Sequence, residues 1–236
     1  MAEADGLHFS WLAVPFLVMG AGLLCAMLLT VLVRGNATIR AAGMAVYAAS
    51  FPYAACLAVI ACTRDPDLAH RMAKLFVGSI GLLGPGMLLL QLAISGRLER
   101  YRWLVALATL TTATTCALAW TTDLVIRPDM WVTPSGMLFH RASTLDTLHV
   151  SQFVGWALVG AWLSRRGARP SSDRQRTQMR RIIAIIFIAV VGAGDALLAN
   201  GIGVYPFGWI PGIIAVILVL YAILRHDLLR ARGFDR

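Results

Sequence analysis

Charge is what this chain has least of. Only 14% of its 236 residues are Asp, Glu, Lys or Arg, against about 25% in an ordinary soluble domain. That shortage excludes a water-soluble globule of this length. The longest polar stretches, 121–147 and 165–181, are too short and irregular to bury a core of their own. Lysine is almost missing. Lys74 is the single example, and none occurs in the last apolar stretch, so the buried amine that a retinal Schiff base requires is absent. Cysteine is sparse: Cys25, Cys56, Cys62 and Cys116 form no CxxC and no Cys/His spacing of a metal site, and they read as buried apolar fillers. No internal repeat is evident, which argues against an inverted-repeat transporter.

What the chain does have is seven apolar runs, near residues 9–33, 40–62, 75–95, 103–120, 148–164, 182–201 and 208–224. About 20 apolar residues at ~1.5 Å rise each cross a bilayer core of ~30 Å. The expectation is an all-α bundle of seven membrane-spanning helices, one domain over 1–236 with 230–236 as a tail. Sixteen of the 21 basic residues fall on one side of that arrangement: Arg34, Arg40, Arg97, Arg100, Arg102, the seven arginines of 165–181, Arg225, Arg230, Arg232 and Arg236. The positive-inside rule then puts the N-terminus outside and the C-terminus in the cytoplasm. The net charge of +9 is assigned to topology and anionic lipid rather than to nucleic acid. The acidic opening Met1-Ala-Glu-Ala-Asp5 suits a retained first span, not a cleaved signal peptide.

Within the runs, Pro15, Pro52 and Pro85 predict bends. Gly78, Gly81, Gly84 and Gly86 predict close helix contact, and Thr109, Thr111, Thr112, Thr114 and Thr115 predict hydroxyl bonds within or between helices. Segment 121–147 holds Met130, Trp131, Met137 and Phe139, more apolar bulk than a solvated loop needs. It reads as a lid over the bundle mouth, with Trp131 either in the lid or in the aromatic belt of the membrane surface. Ser171 or Ser172 is placed to cap a helix that starts near Asp173.

Asp195 is the one acidic residue well inside a run. A charge in hydrocarbon costs at least ~2.5 kcal/mol on insertion scales, so Asp195 must face the bundle interior. There it serves as a polar contact in an outward pocket, as a protonation switch, or as an interhelix bond that only fixes packing. Asp146, His149 and Gln152 are spaced i, i+3, i+6, which brings the first two onto one helix face. With Asp123 and His140 they make a candidate polar cluster at the outer mouth. One His and one Asp are weak grounds for a metal, and none is expected. Gln91 reads as a packing residue, and His70 adds little.

Residues 194–201, Gly-Asp-Ala-Leu-Leu-Ala-Asn-Gly, lead into Val204-Tyr-Pro-Phe-Gly-Trp-Ile-Pro211 and then Val219-Leu-Tyr-Ala-Ile-Leu-Arg-His-Asp-Leu-Leu229. Over about 187–229 this resembles the N-terminal seven-helix sensor region of bacterial histidine kinases and some nucleotide cyclases. The resemblance rests on Asp195, Tyr205, Pro206, Gly208, Tyr221, Ala222, Ile223, Arg225, Leu228 and Leu229. It implies a receptor that passes a helix shift through the last span. In such proteins that span feeds a kinase, cyclase or PAS module. Here only seven residues follow Leu229, with no room for a His-box, a Gly-rich nucleotide loop or a cyclase carboxylate pair. The expectation is therefore a non-enzymatic sensor, or a piece of a longer receptor. It would need no cofactor, would bind a small external or membrane-borne ligand, and would be read by a cytoplasmic signalling protein or a second copy of the chain. Asp195, His149, Gln152, Asp146, Trp131 and Tyr205 are the expected ligand contacts. Tyr221, Arg225 and His226 are the expected transmitters. A small transporter or channel, a membrane-embedded metal hydrolase and a ligand-free assembly subunit are the alternatives.

Overall fold

A computed structural model describes residues 7–33, 35–166, 173–203 and 207–226, with the backbone alone at 173–176, 178, 193 and 223–226. A 3-10 turn, Trp11–Ala13, leads into helix α1 (Val14–Leu32). It is followed by α2 (Ala37–Cys62), α3 (Pro66–Gly81), α4 (Leu83–Ile94) and α5 (Leu98–Thr121). Two strands, β1 (Ile126–Val132) and β2 (Leu138–Ala142), come next. The chain closes with α6 (Thr144–Arg166), α7 (Asp173–Val191), a 3-10 turn Gly192–Asp195, the one-turn α8 (Ala196–Ala199) and α9 (Trp209–His226).

Among the described residues, five stretches are long and apolar enough to cross a membrane: Trp11–Leu32, Ala37–Cys62, Pro66–Ile94, Leu98–Thr121 and Met179–Ala199. The apolar part of α9 is shorter, Trp209–Ala222. Helix α6 is long enough, but its first turns carry Asp146, His149, Ser151 and Gln152. Large apolar side chains such as Leu17, Leu24, Leu28, Val31 and Leu110 point away from the core, the pattern of helices whose outer faces meet lipid rather than water.

Proline acts differently at each expected bend. Pro15 sits in the first turn of α1, where its missing N–H costs nothing. Pro52 lies inside an unbroken α2. Only the Pro85 run is divided: α3 stops at Gly81 and α4 starts at Leu83, with the Leu82 N–H bonding back to Ser79 and Ile80 in 3-10 fashion. The sixth apolar run is also divided, since α7 ends at Val191 and tightens into the Gly192–Asp195 turn. Cys25 departs from the filler reading because it lies on the exposed face of α1, while Cys56 and Cys116 are buried.

Segment 121–147 is a β-hairpin rather than an irregular loop. β1 and β2 pair antiparallel, Trp131 opposite Phe139 and Met130 opposite His140, with an irregularity between Arg127 and Met130. Pro128 falls in that gap, as expected of a residue with no N–H to give a ladder. The turn around Pro134-Ser135-Gly136 is closed by Thr133, whose hydroxyl donates to the Met137 carbonyl and accepts from the Met137 N–H. The hairpin folds onto one end of the bundle. β2 packs against α3, α8, α2 and α6, and Ile126, Met137 and Phe139 enter the core.

Helix α2 is central, packed on α1, α3 and α4. Helix α4 packs on α6, α5 on α3, and α9 on both α1 and α7. Helix α5 buries a single stripe, Ala108, Thr112, Thr115, Cys116 and Ala119. Its other threonines bond their own carbonyls: Thr109 to Val105, Thr111 to Leu107 and Ala108, and Thr114 to Leu110. Within α3 and α4, Gly78, Gly81 and Gly84 face Trp120, His149 and Phe153.

Candidate functional site

Two buried polar groups lie under the hairpin, and a third side chain ties the end of the bundle together. That third is Asp195. The 3-10 turn rotates its carboxyl inward, leaving the residue only 6% exposed. Oδ1 accepts from the backbone N–H of Phe207 (3.0 Å) and Gly208 (2.8 Å), and Oδ2 accepts from the Tyr53 hydroxyl (2.7 Å). The first two donors precede the start of α9, where unpaired amides and the helix dipole favour an anion. Asp195 therefore joins the end of α7 to the start of α9 and both to the middle of α2. Gly208 is required by the geometry, since a Cβ there would run into the Asp195 carboxyl and the Tyr53 hydroxyl.

The first polar group centres on His149, which is fully buried. Its Nε2 lies 2.8 Å from the Val77 carbonyl oxygen on α3, and its Nδ1 lies 2.9 Å from the Thr115 hydroxyl on α5. A carbonyl only accepts, so Nε2 carries a proton. Thr115 also reaches the Thr112 carbonyl (2.9 Å) and the Gln152 side-chain oxygen (3.0 Å). The ring fills the space that a side chain at position 81 would need. His149 and Gln152 thus hold α6 against α3 and α5, with both ring nitrogens engaged.

The second group is His140 with Asp146. His140 Nε2 stands 3.4 Å from Asp146 Oδ2, and both side chains are 3% exposed. That separation is longer than a well-made hydrogen bond. His140 Nδ1 and Asp146 Oδ1 have no hydrogen-bond partner among the described residues. The His140 ring stacks on Phe139 at 4.8 Å and meets the edge of Phe76 at 5.4 Å. Phe76 in turn meets Tyr53 at 5.9 Å. A cavity of about 50 Å³ lies here, lined by His140, Asp146, Tyr53, Asp195, Phe76 and Phe139 among others. A second cavity of about 130 Å³ runs through the bundle centre between α1, α2, α4, α7 and α9. The two share Tyr53, Ile80, Phe153 and Gly192 as wall residues.

Of the expected ligand contacts, Asp195 and Asp146 line the smaller cavity. His149 and Gln152 sit one turn and two turns further along α6, in their own network. Trp131 is half-buried against the core, with its indole Nε1 buried and without a hydrogen-bond partner among the described residues. Tyr205 lies outside the described residues. Among the transmitters, Tyr221 is on an exposed face of α9, and only the backbone is described for Arg225 and His226. Asp123 does not join the cluster. It lies at the surface, 2.7 Å from Lys74 Nζ and 3.0 Å from His70 Nε2. Those two donors, Lys74 first, hold its carboxyl below the ordinary carboxylate value. No three His, Cys, Asp or Glu side chains converge on a metal position among the described residues.

Sequence reasoning missed Tyr53, which is 142 residues from Asp195. Its only signal was a phenol beside a proline in an apolar helix. His140 and Asp146 were grouped in one polar cluster, but their direct pairing was not read, because it depends on the hairpin. The available sign was the turn signal Pro134-Ser135-Gly136 between two short runs holding Met130, Trp131 and Val132 on one side and Met137, Leu138 and Phe139 on the other. Comparison with protein-family models and with curated proteins finds no match for this chain.

Proposed function

We propose that the chain is a seven-span sensor module of a bacterial cytoplasmic membrane, with the hairpin end outside and the C-terminal helix leading inward. A small ligand bound under the hairpin shifts α9, and a cytoplasmic protein or a second copy of the chain reads the shift. The supporting observation is the position of Asp195. One carboxyl lines the cavity under the hairpin and also holds the two backbone amides from which α9 departs. Any occupant that competes for Tyr53 or displaces the Gly192–Asp195 turn changes the anchoring of α9. A ligand biases such a movement only if it binds the two positions differently. The transporter alternative is less well served: Thr109 and Thr114 are exposed and bond their own helix, and Gln91 bonds the Ala157 carbonyl of α6.

The test is a distance measurement that needs no ligand. Spin labels at Leu28 on α1 and Ile217 on α9, both exposed, report how α9 sits, in a chain whose four native cysteines are replaced by alanine. Tyr53→Phe and Asp195→Asn each remove part of the anchor. The expected result is a shifted or broadened distance distribution in both variants, with the protein still folded and inserted. Identical distributions in parent and both variants would show that Asp195 does not set the position of α9, and the sensing proposal would fail.

A further inference from the structure

The central cavity has walls without charge. It lies inside a ring of helices in which α1 packs on α2, α2 on α4, α4 on α7, α7 on α9 and α9 back on α1. Among its described wall residues there is no Lys, Arg, His, Asp or Glu. Three side-chain hydroxyls reach it, those of Tyr47, Ser50 and Tyr53, and each is engaged. Ser50 donates to the Val46 carbonyl of its own helix, Tyr53 donates to Asp195, and Tyr47 is bonded to the Thr30 side chain. A buried water needs about 2–4 polar partners, so this space suits water poorly. Apolar walls around a gap forfeit dispersion contact until an apolar occupant restores it.

The walls also set a shape. Ile39, Gly43, Val46, Ser50 and Tyr53 recur at alternating steps of four and three residues, so one stripe of α2 faces the cavity through about four turns, or ~21 Å. Helices α7 and α9 line it lengthwise as well, from Ile182 to Ala189 and from Gly212 to Val219. A volume of about 130 Å³ spread along that length is a narrow slot parallel to the helices. At about 10–15 Å³ for each water-sized group, it takes on the order of ten of them in file. We propose that this slot holds a linear, uncharged hydrocarbon chain of about that length, the chemistry shared by a lipid acyl tail and a free long-chain alcohol. A compact ring system with as many carbons is too wide for it. Tyr53 and Gly208 wall the slot and also bond Asp195. For the sensor reading, the chain therefore occupies a second place from which the anchor of α9 is reached, but the site itself does not depend on that reading.

The experiment is photolabelling of the full chain in nanodiscs with decanol carrying a diazirine in its tail, mapped by peptide mass spectrometry. Saturable labelling is expected on the slot walls, in the peptides that hold Val46 and Val219. Excess plain decanol is expected to abolish it, and 1-adamantanol, a compact alcohol with the same number of carbons, is expected to leave it unchanged. Labelling at the exposed Leu28 and Ile217 is expected too, but without saturation. A Cβ at Gly43 meets nothing closer than the Tyr47 ring at 3.7 Å, so Gly43→Leu is expected to fill the slot and remove the saturable labelling. Ala215→Leu is expected to do the same from α9, and Leu28→Ala, on the outer face of α1, is expected to keep it. A phospholipid with the diazirine in its acyl tail separates the two sources: if it labels the same walls, a bilayer chain enters the slot, and if decanol alone does, the occupant is a free amphiphile. Labelling confined to outward faces, equal competition by adamantanol, or undiminished saturable labelling in either filled variant would each overturn the proposal. The spin labels on α1 and α9 keep the two readings apart. Wall labelling, with distances unmoved by Tyr53→Phe and Asp195→Asn, upholds the slot and removes the sensor role. Shifted distances in those variants without wall labelling do the reverse.

Discussion

Two buried histidines, His149 on α6 and His140 on β2, are treated in opposite ways. His149 is fully buried, with the Val77 carbonyl on one nitrogen and the Thr115 hydroxyl on the other. His140 is nearly as buried, yet its Nε2 makes one loose contact with Asp146 at 3.4 Å, and Nδ1 has no partner among the described residues. A satisfied polar network rigidifies the core that holds it, whereas a half-satisfied one is costly. The contrast divides the expected polar cluster into a brace, His149 with Gln152, and a loosely held pair, His140 with Asp146.

The largest effect that can break this contrast comes from removing the rings. His149→Ala strips two interhelix bonds, leaves the Val77 carbonyl without its partner and opens a void. The expected cost is about 2–4 kcal/mol of unfolding free energy. His140→Ala removes a ring whose polar bonds are already incomplete, and its expected cost is less than half as large. Reversible unfolding in mixed micelles measures both. Equal losses would mean that the two histidines brace the fold alike, and the contrast would fail.

The same contrast explains what could be read in advance. Apolar runs reveal helices because ~20 residues are needed to cross the hydrocarbon, and the positions of the helices follow those runs closely. That Asp195 turns inward was legible from the cost of the alternative. The partners of these groups were not. Tyr53 meets Asp195 only because α2 is central, and helix neighbours are not encoded in hydropathy. His140 meets Asp146 only because residues 126–142 pair as a hairpin, which a search for membrane helices reads as a loop. Asp123, grouped with the cluster by proximity in sequence, is drawn to Lys74 and His70 on α3 instead. The division of the sixth run at Val191 left no hydropathy signal, since Gly192, Ala193 and Gly194 score as helix-compatible apolar residues in any window.

Gly81 sharpens the brace. The His149 ring lies where a Cβ at position 81 would be built, and α3 ends there because Pro85 interrupts the run. Gly81→Ala forces the ring off the Val77 carbonyl or α6 away from α3. The expected loss is about 1–3 kcal/mol, the range for overpacking. The two sites share one contact, so the double variant Gly81→Ala with His149→Ala is expected to be less destabilised than the sum of the singles. Additive losses would show that the ring and the glycine are not in register.

The smallest effect belongs to the carboxylate that left the cluster. Asp123 is exposed, and Lys74 and then His70 hold its pKa below the ordinary value of 3.8. A lowered carboxylate pKa contributes stability above the unfolded-state value, and the contribution is lost as pH falls through the folded-state value. Asp123→Asn is therefore expected to unfold with the same pH dependence as the parent from neutrality down to about pH 5. Below pH 4 the parent is expected to lose a small increment that the variant never had, so the two curves converge. Added salt is expected to shrink the difference at neutral pH, because exposed pairs are screened. A difference that grows as the solution becomes acidic would place Asp123 in a buried network, and the separation of surface carboxylate from cavity carboxylate drawn above would have to be redrawn.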